Sequence, residues 1–335
     1  MKNFLITGGA GFIGSHFAVK VCNLGHKAIV LDKLTYAADL KNLSAISENS
    51  NFRFIRGDIG DASLVGEILR QEKIDFLVNF AAESHVDNSI KSPENFIQTN
   101  IVGTFNLLNC ALAFFQNLDA EKKAQFRFLH VSTDEVYGSL SLSDPKFTEE
   151  NPYRPNSPYS ASKAASDHLV RAWFETYGLP TITTNCSNNF GPNQHHEKLI
   201  PTIISSAISN KIIPIYGHGK NIRDWIFVKD HADGLYLALE KGILGQVYCF
   251  GGECEKENIE LAGEICEILD QIKPRPDGVS YKKQITFTTD RLGHDRRYAI
   301  NNSKVAKEFG FKPSEDFATR LRETVIHYLD VKDAV

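Results

Sequence analysis

The chain has no excess of basic residues. Its 37 Lys and Arg stand against 41 Asp and Glu, a formal charge of -4, which argues against nucleic acid as a partner because phosphates would go unneutralised. A local basic pocket for a small anion stays open. The six cysteines, Cys22, Cys110, Cys186, Cys249, Cys254 and Cys266, are scattered, with no CxxC pair beside partner histidines. Neither a metal site nor a disulfide framework is therefore signalled, and a reducing compartment is the simplest home. No run approaches the roughly 18 apolar residues of a membrane span. The stretch Phe4 to Ile6 meets glycines too early to be a signal peptide. These absences lead us to expect a cytoplasmic protein with no membrane partner. Internal repeats, low-complexity tracts and long charged tails are missing too.

What is present is an ordinary globular composition on a long chain. At 335 residues it exceeds the roughly 250 to 300 at which one core stops growing, so one large or two unequal domains are expected. Strand and helix signals alternate through the first half. Strands are predicted at 3–7, 27–32, 52–56 and 75–81 and a further one ending at Thr133; helices at 12–24, 63–72, about 94–115 and 159–177. This order predicts an α/β fold, a doubly wound parallel sheet of the Rossmann type. The rhythm breaks after Thr184: 185–198 reads as a polar loop and 199–209 as a helix. Trp225 to Val228 and Asp230 to Glu240 then resume as a strand and helix of the first domain. We therefore expect a NAD-binding domain from 1–186 and about 224–250, and a smaller, discontinuous α/β domain from about 187–223 and 251–335.

Gly8-Gly9-Ala10-Gly11-Phe12-Ile13-Gly14 lies between the first strand and the first helix. Glycines let the backbone approach a pyrophosphate, and the amides of a helix N-terminus stabilise its charge. Alone the pattern is a glycine-rich turn; its position, with Asp32 at the end of the second strand 18 residues after Gly14, makes it a dinucleotide fingerprint. Asp32 would accept from ribose hydroxyls and repel a 2'-phosphate, favouring NAD over NADP, although Lys33 is adjacent. Asp58 and Ile59 follow the third strand and could meet the adenine or form a solvated turn.

Tyr159 and Lys163 stand one helical turn apart. A neighbouring ammonium stabilises phenolate and lowers the phenol pKa, preparing the tyrosine to take a proton. Such a pair is common by chance and becomes a signal only behind the glycine motif. Thr133, Asp134 and Glu135 close a buried strand, where adjacent acids are otherwise read as a solvated turn; ligands of doubly wound sheets bind at such strand ends.

Together these motifs resemble the extended short-chain dehydrogenase/reductase family. More narrowly, DKLTYA (32–37), AAESHVD (81–87), STDEVYG (132–138), NNFGP (188–192), EKLIP (197–201), PIYG (214–217), IRDW (222–225) and DRLGHDRRYAI (290–300) resemble the dTDP-glucose 4,6-dehydratases. The resemblance implies a lyase in which Tyr159 takes the proton of the C4 hydroxyl as hydride passes to NAD. Glu135 then removes the C5 proton, Asp134 protonates the departing C6 hydroxyl, and hydride returns to C6. Thr133 is implied at the C4 hydroxyl. Cofactor contacts are implied at Gly8, Gly11, Phe12, Ile13, Gly14, Asp32, Lys33, Leu34, Thr35, Asp58, Ile59, Ala81, Ala82, Glu83, Ser84, Thr99, Tyr159, Lys163 and Asn189. Contacts to a nucleotide-diphosphate sugar are implied at His85, Thr133, Asn188, Lys198, Leu199, Pro214, Ile215, Tyr216, Arg223, Asn258, Asp290, Arg291 and His294. Arg223 suits a diphosphate, and its other reading is a pair with Asp224. His85 by itself reads as a packing histidine, His195-His196 as a loop pair, and Trp173 and Trp225 as packing residues.

Sugar epimerases and decarboxylases share the Tyr and Lys but lack Asp134's counterpart, so that residue carries the distinction. Asn88, Phe190 and His195-His196 depart from the family's pattern and leave UDP-glucose or another nucleotide hexose open. A cofactor-binding module without turnover is the alternative from another class. The resemblance also implies a homodimer joined through helices 94–115 and 159–177.

Overall fold

The computed structural model describes residues 1–314 and 316–333; positions 315, 334 and 335 of the expected smaller domain lie outside the described residues. Along the chain the strands are β1 (Asn3–Thr7), β2 (Lys27–Asp32), β3 (Phe52–Arg56), β4 (Phe76–Asn79), β5 (Arg127–Thr133), β6 (Thr181–Cys186), β7 (Asn188–Phe190), β8 (Ile213–Tyr216), β9 (Ile222–Phe227), β10 (Val247–Phe250), β11 (Glu255–Glu257) and β12 (Ile285–Thr288). Seven of them form one parallel sheet in the order β10-β6-β5-β4-β1-β2-β3. The strand order reverses beside β1, whose neighbours are β2 and β4, and a crevice opens past the carboxyl ends there.

Both faces of this sheet are covered, which is why its strands read as continuous apolar runs. Phe4 and Ile6 of β1 point to a core shared with Phe17 and Leu235, from helices Phe12–Asn23 and Val228–Lys241. Leu5, between them, points to the opposite core, with Leu107 and Val170 of helices Thr104–Gln116 and Pro158–Tyr177. The last helix starts where the sequence demands: Pro158 fills its first position, Ser157 and Ser160 form a capping box, and Gly178 ends it at φ 70°.

Three expectations are corrected. The helix expected over 94–115 is interrupted: Pro93–Phe96 leads into a π-helical stretch, Ile97–Gly103, before Thr104–Gln116 resumes. The wide turn points Thr99 and Asn100 inward, where they bond Lys33 and the Glu83 backbone. The polar loop expected over 185–198 contains the end of β6 and all of β7, because Asn189 and Phe190 are buried. Trp225, expected in a strand of the first domain, lies in β9, the middle of a separate sheet, β11-β9-β7. A further pair, β12-β8, and the helices Leu199–Ile208 and Asn258–Ile272 enclose a second core around Ile200, Trp225 and Leu261. Trp173 is buried in the core behind the large sheet. The six cysteines are free thiols.

Candidate active site

Past β1 the chain turns at Gly8, φ 68°. A Cβ there would lie 2.6 Å from the Ala81 amide nitrogen, and one on Gly14 would lie 2.5 Å from the Gly8 carbonyl oxygen. Only glycine allows this turn. No side chain caps helix Phe12–Asn23, so its first amides face the cleft and suit an anion. At the end of β2, the Asp32 carboxylate accepts from the Ala10 amide at 3.0 Å and the Leu34 amide at 2.8 Å. Burial raises its pKa while those amides oppose the rise. Lys33, a possible attractor of a 2'-phosphate, is held 3.4 Å from Asp58 and donates to Thr99 at 3.1 Å. This donor set fits a dinucleotide with free ribose hydroxyls.

At the end of β5, Thr133 caps a 3-10 turn, its hydroxyl accepting from the Glu135 amide at 3.2 Å. Asp134 is 2 % exposed. Burial pushes its carboxyl well above the usual range, and the charges of Glu135 and Asp224 push further, against Arg223. Glu135 is also raised by burial, but Arg291, Arg223 and Lys198 hold it down. Both acids are thus raised but unequally: Asp134 far above the usual range, Glu135 less so because three cations oppose its burial.

The Tyr159 phenol faces both acids, and its environment reverses the expected shift. Burial pushes it well above the usual phenol value and the charge of Glu135 adds to this, while a hydrogen bond with Thr133 opposes. The Lys163 ammonium is drawn inward, donating to the Val131 carbonyl at 2.9 Å and lying 3.4 Å from His130 Nε2.

The cleft joining these groups is lined by Gly8, Asp32, Thr133, Tyr159, Asn188 and Lys198, among others. Buried polar atoms without partners gather on it: Asp134 Oδ2, His85 Nδ1, Ser187 Oγ and Asn188 Oδ1. Such atoms are rare in native folds and together describe a polar ligand's site. Among the described residues no group of three or more His, Cys, Asp or Glu could hold a metal ion.

The family model of GDP-mannose 4,6 dehydratase matches residues 5–324. A dTDP-glucose 4,6-dehydratase of Xanthomonas campestris is 51% identical over 329 residues, 98% of this chain and 93% of that one. One from Escherichia coli is 51% identical, covering 97% and 92%. The crystal structure of a Streptomyces venezuelae dTDP-glucose 4,6-dehydratase, solved with NAD and dTDP bound, superimposes with a TM-score of 0.89 at 41% identity, covering 99% of this chain and 98% of that one. The chain belongs to the dTDP-glucose 4,6-dehydratase family.

Not every position implied by that family faces the cleft. Leu34 does not line it: at φ 58° its side chain turns into the first core. Of the sugar-side positions, His85, Thr133, Asn188 and Lys198 line it, Lys198 donating to the Ser84 carbonyl at 2.9 Å. The side chains of Leu199 and Ile215 pack into the second core instead. Pro214 lies in β8, and Tyr216 donates to Asp87 at 3.0 Å. Arg223 does not pair with Asp224: it donates to the carbonyls of Ile222 and Asp295 and stacks on Tyr298. Asp290 holds His294 at 2.6 Å, Arg291 Nε is buried without a partner, and so is Asn258 Oδ1.

Sequence reasoning missed Tyr36, Ser132, Cys186, Ser187 and Glu197, which also line the cleft, and left His195 as a loop residue. Tyr36, Ser132 and Glu197 lie within motifs already recognised, and Cys186, Ser187 and His195 lie within two residues of one; that placement was the available signal.

Proposed function

We propose that the chain is an NAD-dependent hydro-lyase that converts dTDP-glucose to dTDP-4-keto-6-deoxyglucose, the activity named for its relatives. The observation that carries this reading is the unequal bias of two neighbouring acids opposite a phenol, since elimination of water needs one protonated and one ionised group. Bound NAD would accept a hydride from C4 and return it to C6. Its pyrophosphate would lie on Gly11, Phe12, Ile13 and Gly14, its ribose hydroxyls at Asp32, and its adenine near Asp58 and Ile59. Tyr159 would take the C4 hydroxyl proton once the positive charge of bound NAD has lowered its raised phenol pKa. The ketone acidifies C5–H, Glu135 takes that proton, and Asp134 protonates the leaving C6 hydroxyl. Lys163 lines the same cleft one helical turn from Tyr159, and Lys198, Arg223 and Arg291 offer positive charge to the diphosphate.

We read the second core as the sugar-nucleotide lobe, and the exposed Ile97, Val102 and Phe105 as the face for a second copy of the chain. Purified protein given dTDP-, UDP-, CDP- and GDP-hexoses should yield a 4-keto-6-deoxy product by mass and NMR, fastest from dTDP-glucose. Binding without product sinks the enzyme reading, and a product that keeps its water indicates an epimerase.

A further inference from the structure

Two opposite charges are shut in on the helix that carries Tyr159. Lys163 and Asp167 stand one turn apart on Pro158–Tyr177, and each is 3 % exposed. A buried ammonium without a counter-charge tends to give up its proton. That of Lys163 donates to the Val131 carbonyl at 2.9 Å, and its other contact is His130 Nε2 at 3.4 Å. The order of donors decides what that nitrogen is. Thr7 Oγ1 donates to Asn79 Oδ1 at 2.7 Å, which leaves the Asn79 amide nitrogen to donate to His130 Nδ1 at 3.2 Å. Nδ1 is then the acceptor, and Nε2 carries the hydrogen, which goes to Ser166 Oγ at 3.2 Å. Burial also pushes the ring down to about 4. His130 is therefore a neutral spacer that neither accepts from Lys163 nor shares its charge.

On the other side of that spacer lies the Asp167 carboxylate. Its Oδ2 accepts from Ser132 Oγ at 2.9 Å, Tyr153 Oη at 3.0 Å and Asn185 Nδ2 at 3.2 Å. Donors from β5, from β6 and from the loop before the helix thus fix it in place. Its Oδ1 is buried without a hydrogen-bond partner among the described residues and lies 3.3 Å from the same His130 Nε2. A carboxylate kept only to tie strands to a helix would have both oxygens bonded. Here one oxygen is left facing the atom that the ammonium touches, so the two charges are separated by less than two contact lengths, in a setting that screens little. The other titratable groups around the ammonium are His130, Cys186 of β6 and Tyr159 of its own helix, while Glu135 and Asp134 act on Tyr159 from the end of β5. Burial pushes the Cys186 thiol up to about 12, so it stays neutral. Resting on the dehydratase reading, we infer that Asp167 is a positioning residue for the C4 oxidation: its carboxylate is the counter-charge that keeps the Lys163 ammonium charged, one turn from the phenol that takes the C4 proton.

Asp167→Asn removes the charge and keeps the shape, since the amide oxygen can stand where Oδ2 accepts its three bonds and the amide nitrogen where Oδ1 has none. First-turnover C4 oxidation, followed by cofactor absorbance across pH, reads Lys163; Asp134 acts after this step and does not enter. The rate falls on the alkaline side as the ammonium loses its proton. In the variant that fall should begin about 1–3 pH units lower. A merely structural role lowers the rate at every pH and leaves the alkaline limb in place, and that result overturns the counter-charge, as does an unchanged profile. Should the variant not fold, the double variant Lys163→Met, Asp167→Asn decides. Removing both charges should restore a cooperative thermal transition, and a double variant as unfolded as the single one overturns the proposal. Wild-type protein that forms no keto-deoxy sugar overturns the dehydratase reading itself, a failure distinct from these because the melting comparison needs no turnover.

Discussion

Asn100 Nδ2 donates to Ser162 Oγ at 2.8 Å, joining the π-helical stretch to the helix that carries Tyr159 and Lys163. The same amide group holds the Glu83 backbone from both sides, accepting from its N–H at 2.8 Å and donating to its carbonyl at 3.0 Å. Asn100→Ala leaves two backbone groups and a buried hydroxyl without this partner, so we expect a loss of about 1–3 kcal/mol. Urea unfolding should show a lower midpoint at unchanged slope. NAD binding, measured by calorimetry, should weaken as well, because Glu83 lines the cleft.

Asp134→Asn keeps the shape of the acid but has no carboxyl proton to give. Elimination should slow by roughly 10²–10⁴-fold while C4 oxidation slows much less, so stopped-flow absorbance should show the oxidised-sugar stage accumulating. Equal slowing of both steps would count against the acid role.

The raised Asp134 also sets a pH dependence. Its folded-state pKa lies above the unfolded value, so its contribution to stability is full below the unfolded pKa and is lost as pH rises through the folded one. Asp134→Asn should therefore melt higher than the wild type on the alkaline side, with the difference shrinking as the solution is acidified. Catalysis should follow a bell: activity falls at high pH as Asp134 loses its proton and at low pH as Glu135 gains one. A difference in melting temperature that grows on acidification would contradict the assignment.

Asp32→Asn removes the carboxylate expected at the ribose hydroxyls. NAD affinity should fall about 10-fold, in keeping with a hydrogen bond to a charged group, and preference over NADP should narrow. Titration with both dinucleotides checks this; unchanged discrimination would move specificity to Lys33 and its neighbours.

The glycine turn, the Tyr159–Lys163 pair and the Thr133–Glu135 segment were legible because each is a local pattern at the end of a strand or on one helical turn. The rim around Glu135 was named only through the family resemblance and not from spacing. Lys198, Arg223 and Arg291 reach it from three separate stretches of chain, and local spacing carries no record of such convergence. The strand β7 was hidden for a related reason: Asn188 and Asn189 read as loop residues, and only pairing with β9 makes them a strand. The π-helical stretch was missed because its apolar spacing matches an ordinary helix, while inward bonds of Thr99 and Asn100 accompany the wider turn.

The sequence alone determined the sheet's class and which side chains could do the chemistry, since strand period, helix spacing and glycine placement act over a few residues. Tertiary structure decided the protonation bias of those side chains. Lys163 lies one turn from Tyr159, yet burial and the carboxylates opposite push the phenol up. Asp134 and Glu135 are adjacent in the chain but see different charges. Desolvation and Coulomb interactions depend on what surrounds a group in space, and the order of residues states that only indirectly.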